Sequence, residues 1–338
     1  MTGILLGIIL AIIASFIIAK SCDGFETSAD YLGRNLSEGT KGATINAIGS
    51  SMPELLVTIV YLFLFMDTSG FAGGIGTTAG SAVFNALVIP ALVILFVFKK
   101  NKNAQINISK AVILRDGLFL IAAEISLIFI IGDALRWYHG LILMGIYVVY
   151  ASWMIYRHKT QSSIEEISND DEEDYENMTT PKAIIGLLIS IAIISIGSYI
   201  LVAGCEMIGE ALHISGYFIA VVIAAAASSI PDTILSIKDA NKGNYDDAVA
   251  NALGSNIFDI CFALGLPVFV YTLINGDIIL APETMGNVIT LRIVLLILTI
   301  ITFFILLLSK KISKLTGYIL LSMYIGFIGF VAYKAFFL

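Results

Sequence analysis

Long apolar runs fill almost the whole chain and constrain its fold more than any other feature. Hydrophobic residues make up 58% of its 338 residues, and charged residues only 13%. A helix that crosses a bilayer needs about 20 such residues. Ten runs have this length: 3–20, 42–66, 73–98, 111–131, 137–156, 182–204, 214–238, 247–273, 288–308 and 315–337. The pattern predicts an all-α integral membrane protein with ten transmembrane helices, surrounded by the lipid bilayer.

The acidic balance of the chain says little about its partners. The net charge of −7 is dominated by one segment, from Glu165 to Glu176, so a broad acidic surface is not indicated. Nothing in the sequence supports a nucleic-acid partner. So few residues remain outside the apolar runs that we expect neither an attached soluble enzyme nor a cofactor, and we expect the protein to work as a monomer.

Basic residues predict how the chain is oriented, because lysine and arginine in short loops stay on the cytoplasmic side. If the N-terminus is outside, 15 of the 19 basic residues fall in cytoplasmic connections. Only Arg136 lies clearly in an opposite loop. We therefore predict that both termini are outside and that the protein lies in the cell (plasma) membrane.

The first run and the cysteines carry no sign of secretion or of cross-linking. Residues 3–20 lack a basic start, and residues 19–23 make a poor cleavage site, so the run is predicted to stay as the first helix rather than to act as a signal peptide. The three cysteines, Cys22, Cys205 and Cys261, are an odd number and imply no disulfide framework.

A polar, acidic segment at 157–180 divides the chain into two halves of five runs, 1–156 and 181–338. We predict that this segment is a cytoplasmic linker. Since five is odd, a repeated half enters the membrane the second time in the opposite sense, which gives two inverted-topology five-helix repeats.

Two short motifs occur once in each half. The motif Gly49–Glu54 (GSSMPE) returns as Ala227–Asp232 (ASSIPD), and Gly80–Asn85 (GSAVFN) returns as Gly254–Asp259 (GSNIFD). Glu54 and Asp232 are 178 positions apart, and the second pair of motifs is 174 apart. Because the two offsets nearly agree, the halves are predicted to share an ancestor.

The paired motifs offer hard oxygen donors, which Na⁺ and Ca²⁺ prefer, and neither histidine nor cysteine. Pro53 and Pro231 cannot donate to the carbonyl one turn earlier, so nearby carbonyls such as those of Ala47 and Ala225 can turn towards an ion. The sequence therefore predicts a polar site built from two broken helices. Its candidate residues are Ser50, Ser51, Glu54, Ser81, Asn85, Ser228, Ser229, Asp232, Ser255 and Asp259, with the two alanine carbonyls.

The charge of this site suggests a function. Glu54, Asp232 and Asp259 give up to three negative charges, which are too costly to leave uncompensated at mid-membrane. A site that is filled either by one divalent ion or by several monovalent ions exchanges them if it opens to one side at a time. This is the behaviour of an antiporter.

On these motifs, the chain resembles the cation/calcium exchanger superfamily. Residues 43–54 and 76–85 look like its first α-repeat, within a first repeat motif at about 43–86. The second motif, at about 220–260, looks most like the potassium-dependent sodium/calcium exchanger branch, which carries aspartate where sodium/calcium exchangers commonly have glutamate. Arg115–Asp116 at the start of the fourth run is also similar to that branch.

The resemblance implies a sodium/calcium exchanger-like fold in which the first and sixth helices are long, tilted and mobile. It implies that Glu54 and Asp232 coordinate Ca²⁺ and share Na⁺, and that Asn85 and Asp259 face each other. The lining of the Na⁺ sites would be Ser51, Ser229, Ser81 and Ser255, with the carbonyls of Ala47 and Ala225. K⁺ dependence is left open, because potassium-independent relatives also carry an aspartate at the position of Asp259.

Other polar residues have simpler interpretations. Glu124, and Asp116 beside Arg115, are predicted to pair structurally or to lie at an interface. Glu206 and Glu210 fit a solvated helix end. The acidic run Asp170–Asp174 lacks the spacing and the glycine of an EF-hand, so a disordered linker is favoured over a calcium sensor. Each serine of the motifs could also serve only to join helices.

Two rival functions remain. A proton/cation exchanger shares the architecture, but such relatives typically carry Gly-Asn-x-x-Glu motifs, which this sequence lacks. An intramembrane aspartyl protease could use Asp232 and Asp259, but the Tyr-Asp and Gly-Leu-Gly-Asp settings of that chemistry are missing. We therefore favour a secondary antiporter that exchanges Na⁺, with or without K⁺, for Ca²⁺.

Overall fold

A computed structural model of the protein describes residues 2–34, 47–65, 68–130, 132, 134–161, 178–309 and 311–337. Three features named above fall wholly or partly outside these ranges. They are the beginning of the first motif (43–46), most of the predicted linker at 157–180, and the acidic run Asp170–Asp174.

Helices dominate both halves of the described chain, with one two-residue strand in each. The first half contains α1 (Thr2–Leu32), α2 (Ala47–Ser50), α3 (Met52–Phe63), α4 (Thr68–Lys100), α5 (Lys110–Ile130), β1 (Ala134–Leu135) and α6 (Trp137–Gln161). The second half contains α7 (Thr180–Leu212), α8 (Gly216–Ile219), a π-helical segment (Ala220–Ala224), α9 (Ala225–Ser228), α10 (Ile230–Lys242), α11 (Tyr245–Phe258), a second π-helical segment (Asp259–Ala263), α12 (Gly265–Asn275), β2 (Ile278–Ile279), α13 (Pro282–Leu308) and α14 (Lys314–Phe337).

Eight helical segments of the described chain are long and apolar enough to cross a membrane. This confirms the predicted all-α membrane architecture. Two predicted spans do not meet this standard. Residues 42–66 are described only from Ala47 onwards, as two short helices. Helix α5 (Lys110–Ile130), at the predicted span 111–131, carries four charged side chains, at 110, 115, 116 and 124. The count of ten spans stays a prediction.

The first helix is longer than the sequence pattern suggested, and the predicted end at residue 20 was wrong. Helix α1 continues to Leu32. Beyond Lys20 it keeps a buried stripe of Cys22, Phe25 and Ala29 at helical spacing, so packing maintains the helix where hydropathy falls.

Helices α1 and α7 pack closely along small residues. A Cβ atom on Gly7 would come within 2.6 Å of the carbonyl oxygen of Gly204, and one on Gly204 within 2.9 Å of the carbonyl oxygen of Gly7. Their 31 and 33 residues span about 46 and 50 Å at a rise of 1.5 Å per residue. A helix this long tilts across a hydrocarbon core of about 30 Å.

Contacts between connections fall on two separate faces. On one face, β1 pairs with β2, and Arg136 lies 3.3 Å from Asp277. On the other, Lys100 bonds Asn241 at 3.3 Å, and Lys238 lies 3.4 Å from Asp23. This separation agrees with the alternation of the predicted spans.

Close packing at Gly80 predicts a large effect on stability. A Cβ atom there would collide with the carbonyl of Val221 and lie 2.6 Å from the Cβ of Ala225. We expect Gly80→Ala to separate α4 from the neighbouring π-helical segment and to lower the free energy of unfolding by about 3 kcal/mol, at the upper end of overpacking costs. Thermal unfolding in detergent measures this. Gly145→Ala is the control, since a Cβ there meets nothing within 4 Å, and an equal change in both variants would contradict the prediction.

Candidate cation site

Two serines interrupt helices at matching places in the two halves. Ser51 separates α2 from α3 with φ −95° and ψ 8°, and Ser229 separates α9 from α10 with φ −83° and ψ 4°. In each case a proline stands two residues later and cannot donate to the preceding turn. The prediction of two broken helices is confirmed, and the same backbone conformation recurs at both breaks.

The structure brings the four predicted motifs to one place in the interior. Helix α4 carries Ser81 and Asn85, and α11 with the following π-helical segment carries Ser255 and Asp259. Every predicted side-chain donor has at most 3% of its surface exposed: Ser50, Ser51, Glu54, Ser81, Asn85, Ser228, Ser229, Asp232, Ser255 and Asp259.

Ser81 lies at the centre of a cluster of oxygen atoms. Its Oγ is 3.3 Å from Glu54 Oε1, 3.0 Å from Asp259 Oδ2 and 2.9 Å from Ser229 Oγ. Ser229 Oγ is also 3.4 Å from Glu54 Oε1. These four oxygen–oxygen contacts have only two hydroxyl hydrogens between them, because an ionised carboxylate is only an acceptor. Asn85 Nδ2 also approaches Ser81 Oγ, at 3.5 Å, and protons or a cation would supply the positive charge that the remaining contacts between oxygens lack.

Asp232 is better supplied with donors. It accepts one hydrogen bond from Asn85 Nδ2 at 3.0 Å and one from Ser255 Oγ at 2.8 Å. By contrast, Glu54 Oε2 and Asp259 Oδ1 are buried without a hydrogen-bond partner in the part of the chain described. The shortage of donors is thus concentrated on the side of Glu54 and Asp259.

The remaining candidates border these two groups. Ser50 Oγ lies 3.4 Å from Ser255 Oγ. The carbonyl of Ala225 accepts from Ser229 N at 3.1 Å and from Ser228 Oγ at 3.2 Å, so it is engaged in this conformation. Ala47 is the first residue of α2.

Carboxylates alone do not form a metal site here. Among the described residues, no group of three or more acidic, histidine or cysteine side chains is arranged to hold a metal ion. Any cation would be shared among carboxylates, hydroxyls, the Asn85 amide and backbone carbonyls, a donor set suited to hard cations. The role of each residue as a ligand stays a prediction.

Two asparagines of α11 support the site, although sequence analysis gave them no role. Asn251 Nδ2 donates to the carbonyl of Asp232 at 3.3 Å and to Ser236 Oγ at 3.0 Å. Asn256 Nδ2 donates to the carbonyl of Ala82 at 3.0 Å. Asn256 lies inside the second motif, next to Ser255. This position in the sequence could have indicated its supporting role.

The acids set aside as structural are paired or bonded, as predicted. Asp116 accepts two hydrogen bonds of 2.7 Å from Arg115. Glu124 accepts one of 2.8 Å from Thr299. The three cysteines are free and buried.

A cavity leads towards the site from the face that carries Lys238. It lies between α1 and the broken helices, and it reaches Gly49 and Ser50. Its lining residues are Ala19, Cys22, Asp23, Glu26, Gly49, Ser50, Pro231, Ile234, Leu235 and Lys238. Its mouth carries both charge signs, because Lys238 lies 3.4 Å from Asp23 and 4.0 Å from Glu26, and its inner end reaches the site serine Ser50.

The sequence of the chain matches a known protein family and several individual proteins. The family model described as sodium/calcium exchanger protein matches residues 6–156 and 182–333. An uncharacterized membrane protein of Methanocaldococcus jannaschii is 29% identical over 266 residues, which are 78% of this chain and 82% of that protein. The sodium/potassium/calcium exchanger 1 of Gallus gallus is 33% identical over 167 residues, which are 49% of this chain and 24% of that protein.

Comparison of structures agrees. A structure of the sodium-calcium exchanger NCX_Mj matches with a TM-score of 0.60 and 26% identity, covering 96% of this chain and 98% of that one. The H⁺/Ca²⁺ exchanger CAX matches with a TM-score of 0.68 but 13% identity, covering 97% of this chain and 88% of that one. The second likeness shows the fold alone. The matched family and the named exchangers among these proteins are membrane ion exchangers rather than enzymes, which removes the intramembrane protease as a candidate.

Proposed function

Because the chain belongs to the sodium/calcium exchanger protein family, we propose that it is a secondary antiporter that exchanges Na⁺ for Ca²⁺ by alternating access. In this proposal Glu54 and Asp232 are the central carboxylates, and Asp259 and Asn85 lie beside them. The protein acts in the plasma membrane with both termini outside.

The observation that carries the proposal is that too few hydrogen-bond donors serve the oxygen atoms around Ser81. Two acids, Glu54 and Asp259, share this hydroxyl with Ser229, so the cluster is stable only when protons or cations supply the missing positive charge. One Ca²⁺ and several Na⁺ are alternative ways to supply it. Since a single site cannot hold both sets, occupation by one excludes the other.

The packing of the long helices supports alternating access. Helices α1 and α7 contact each other along glycines, and α1 also borders the cavity that leads to Ser50. In the proposed cycle, movement of this helix pair against the broken helices closes the cavity on one face and opens a route on the other.

The test is a flux experiment on purified protein in liposomes. We expect an imposed Na⁺ gradient to drive uptake of radioactive Ca²⁺, and we expect a pH gradient in sodium-free buffer to drive little. Empty liposomes and a dissipated Na⁺ gradient are the controls. Equal uptake with a pH gradient alone would favour the second candidate, an H⁺/Ca²⁺ exchanger. That candidate is supported by the same cluster, because protons could also supply its missing hydrogens.

A further inference from the structure

The ammonium of Lys238 joins α1 to the helix that carries Asp232. Lys238 lies on α10, six residues after Asp232. Its Nζ is 3.4 Å from Asp23 Oδ1 and 4.0 Å from Glu26 Oε2, and both acids lie on α1. Asp23 Oδ2 is also 3.9 Å from Lys20 Nζ. Two lysines and two acids thus form one network, and three of them line the cavity between α1 and the broken helices.

The network connects two groups of helices. Helix α1 packs on α7 along its length. Near one end, a Cβ atom on Gly3 would lie 3.3 Å from the side chain of Ala211. Near the other, a Cβ atom on Gly186 would lie 2.6 Å from Ser28 Oγ. Lys238 therefore ties this closely packed pair to a helix of the cation site.

The cavity is too small to admit a hydrated cation. Its volume is about 10 Å³, which is room for about one water molecule. Ca²⁺ needs about six to eight oxygen ligands, so it cannot enter with its water shell. Phe25 of α1 also rests on the first broken helix, since a Cβ atom on Gly49 would lie 3.1 Å from its ring. Helix α1 has to separate from the broken helices before a cation reaches Ser50 from this face.

The charge of Glu26 makes the closed arrangement depend on Lys238. The Glu26 side chain is 19% exposed, and its Oε1 is buried without a hydrogen-bond partner among the described residues. A partly buried carboxylate is unfavourable without a counter-charge. When Lys238 is removed, water has to reach Glu26, and separation of α1 from α10 lets it in.

We propose that Lys238, Asp23 and Glu26 form a latch, which holds α1 against the broken helices and keeps this face of the cavity closed. The latch is separate from the oxygen cluster around Ser81, and it adds a regulatory element to the proposed function. Because its side chains are partly exposed, its loss corresponds to about a fivefold change in the open population, the upper end for exposed ion pairs. Salt screens such pairs, so the ionic strength on this face regulates how often the cavity opens.

Cys22 is a native reporter of the latch. It lines the cavity and is 5% exposed, whereas Cys205 and Cys261 have no exposed surface. We expect Cys22 of Lys238→Met to react about fivefold faster with N-ethylmaleimide, with no change at the other two cysteines. This uncharged reagent is applied to the purified protein in detergent, and mass spectrometry measures the rate at each cysteine. An unchanged rate at Cys22, or an equal rise at all three cysteines, would overturn the inference.

Arg136→Met is the matched control. Arg136 forms an ion pair of 3.3 Å with Asp277 on the other face. The exposed fractions of these two side chains, 53% and 47%, match those of Lys238 and Asp23, 52% and 47%. We expect the rate at Cys22 to stay unchanged in this variant. An equal acceleration would show that loss of any exposed ion pair loosens the protein, and it would contradict the latch.

The acids test the same latch from the other helix. Asp23→Asn combined with Glu26→Gln should also make Cys22 react about fivefold faster. The thiolate is the reactive form of cysteine, so by charge alone the loss of Lys238 would slow the reaction and the loss of two acids would speed it. Acceleration in both variants therefore reports an open cavity. Slower reaction in Lys238→Met would mean that only the reactivity of the thiol had changed, and the inference would be wrong.

Ionic strength tests the latch without any substitution. Raising choline chloride from about 0.01 M to about 1 M shortens the Debye length from about 30 Å to about 3 Å. We expect the reaction of Cys22 in the unchanged protein to become about fivefold faster, and that of Lys238→Met to change little. A rate in the unchanged protein that ignores salt would refute the latch. The reaction needs no transport, so absence of Na⁺-driven Ca²⁺ uptake would count against the proposed function only.

Discussion

Glu54→Gln is expected to abolish Na⁺-driven Ca²⁺ uptake while leaving the protein folded. The amide removes one negative charge and also brings two N–H donors. These donors can bond Ser81 Oγ and Ser229 Oγ, the two oxygens that now lie within 3.4 Å of Glu54 Oε1. The cluster would then be satisfied by hydrogen bonds alone, and a cation would have to break them. We expect uptake to fall by about a hundredfold or more, as for loss of one partner of a buried charge pair.

The same change should not weaken the fold, and this distinguishes a ligand from a structural acid. Because the introduced amide would supply missing hydrogens, we expect the Tm of Glu54→Gln in detergent without Ca²⁺ to be equal to or higher than that of the unchanged protein. The stabilisation that Ca²⁺ gives the unchanged protein should be absent. Glu124→Gln is the matched control, as it alters another buried acid, on α5, and should keep most of the uptake. Retention of full uptake by Glu54→Gln would remove Glu54 from the site.

The parts of this site that follow from local chemistry were predictable from the sequence. A proline removes one backbone donor from the preceding turn, so the breaks at Ser51 and Ser229 could be inferred from the two motifs. The near-equal offsets between the paired motifs likewise predicted that Glu54 and Asp232 occupy matching positions. A sequence can show these features because they depend on residues close together in one chain segment.

Other features depend on which atoms face one another across the two halves. The shortage of hydrogens around Ser81 arises because Glu54, Ser229 and Asp259 approach it from three different segments, and no motif specifies these distances. Arg292 on α13 lies in no motif, and it donates a hydrogen bond of 2.9 Å to Thr78, which is 214 positions away. The length of α1 was underestimated because packing at Cys22 and Phe25, rather than hydropathy, continues the helix.

Asn85→Asp is expected to lower Ca²⁺ uptake nearly as much as Glu54→Gln does. The reason is the opposite one, because this substitution adds a negative charge to the site instead of removing one. Asn85 Nδ2 now donates to Asp232 Oδ2 at 3.0 Å. An aspartate there would remove this donor and place a second carboxylate against the first. Like charges about 3 Å apart cannot both ionise, so the variant should retain a proton or an extra cation. We expect Na⁺-driven Ca²⁺ uptake to fall by about a hundredfold, as expected when a buried charge loses its partner.

The predicted inverted repeats suggest how that loss can be reversed. Asn85 and Asp259 occupy matching positions in the second pair of motifs, so Asn85→Asp combined with Asp259→Asn exchanges amide and carboxylate between the halves and keeps the total charge. If charge is what limits Asn85→Asp, the double variant should recover at least about tenfold of the lost uptake, a coupling expected for residues that share one site. Asp116→Asn in place of Asp259→Asn removes a charge outside the site and should recover nothing. Equal recovery in both double variants would mean that the site responds to the net charge of the membrane domain rather than to its local balance. Recovery in neither would show that the amide of Asn85 is needed at its own position, where it orients Asp232, and that the two halves of the site are not interchangeable.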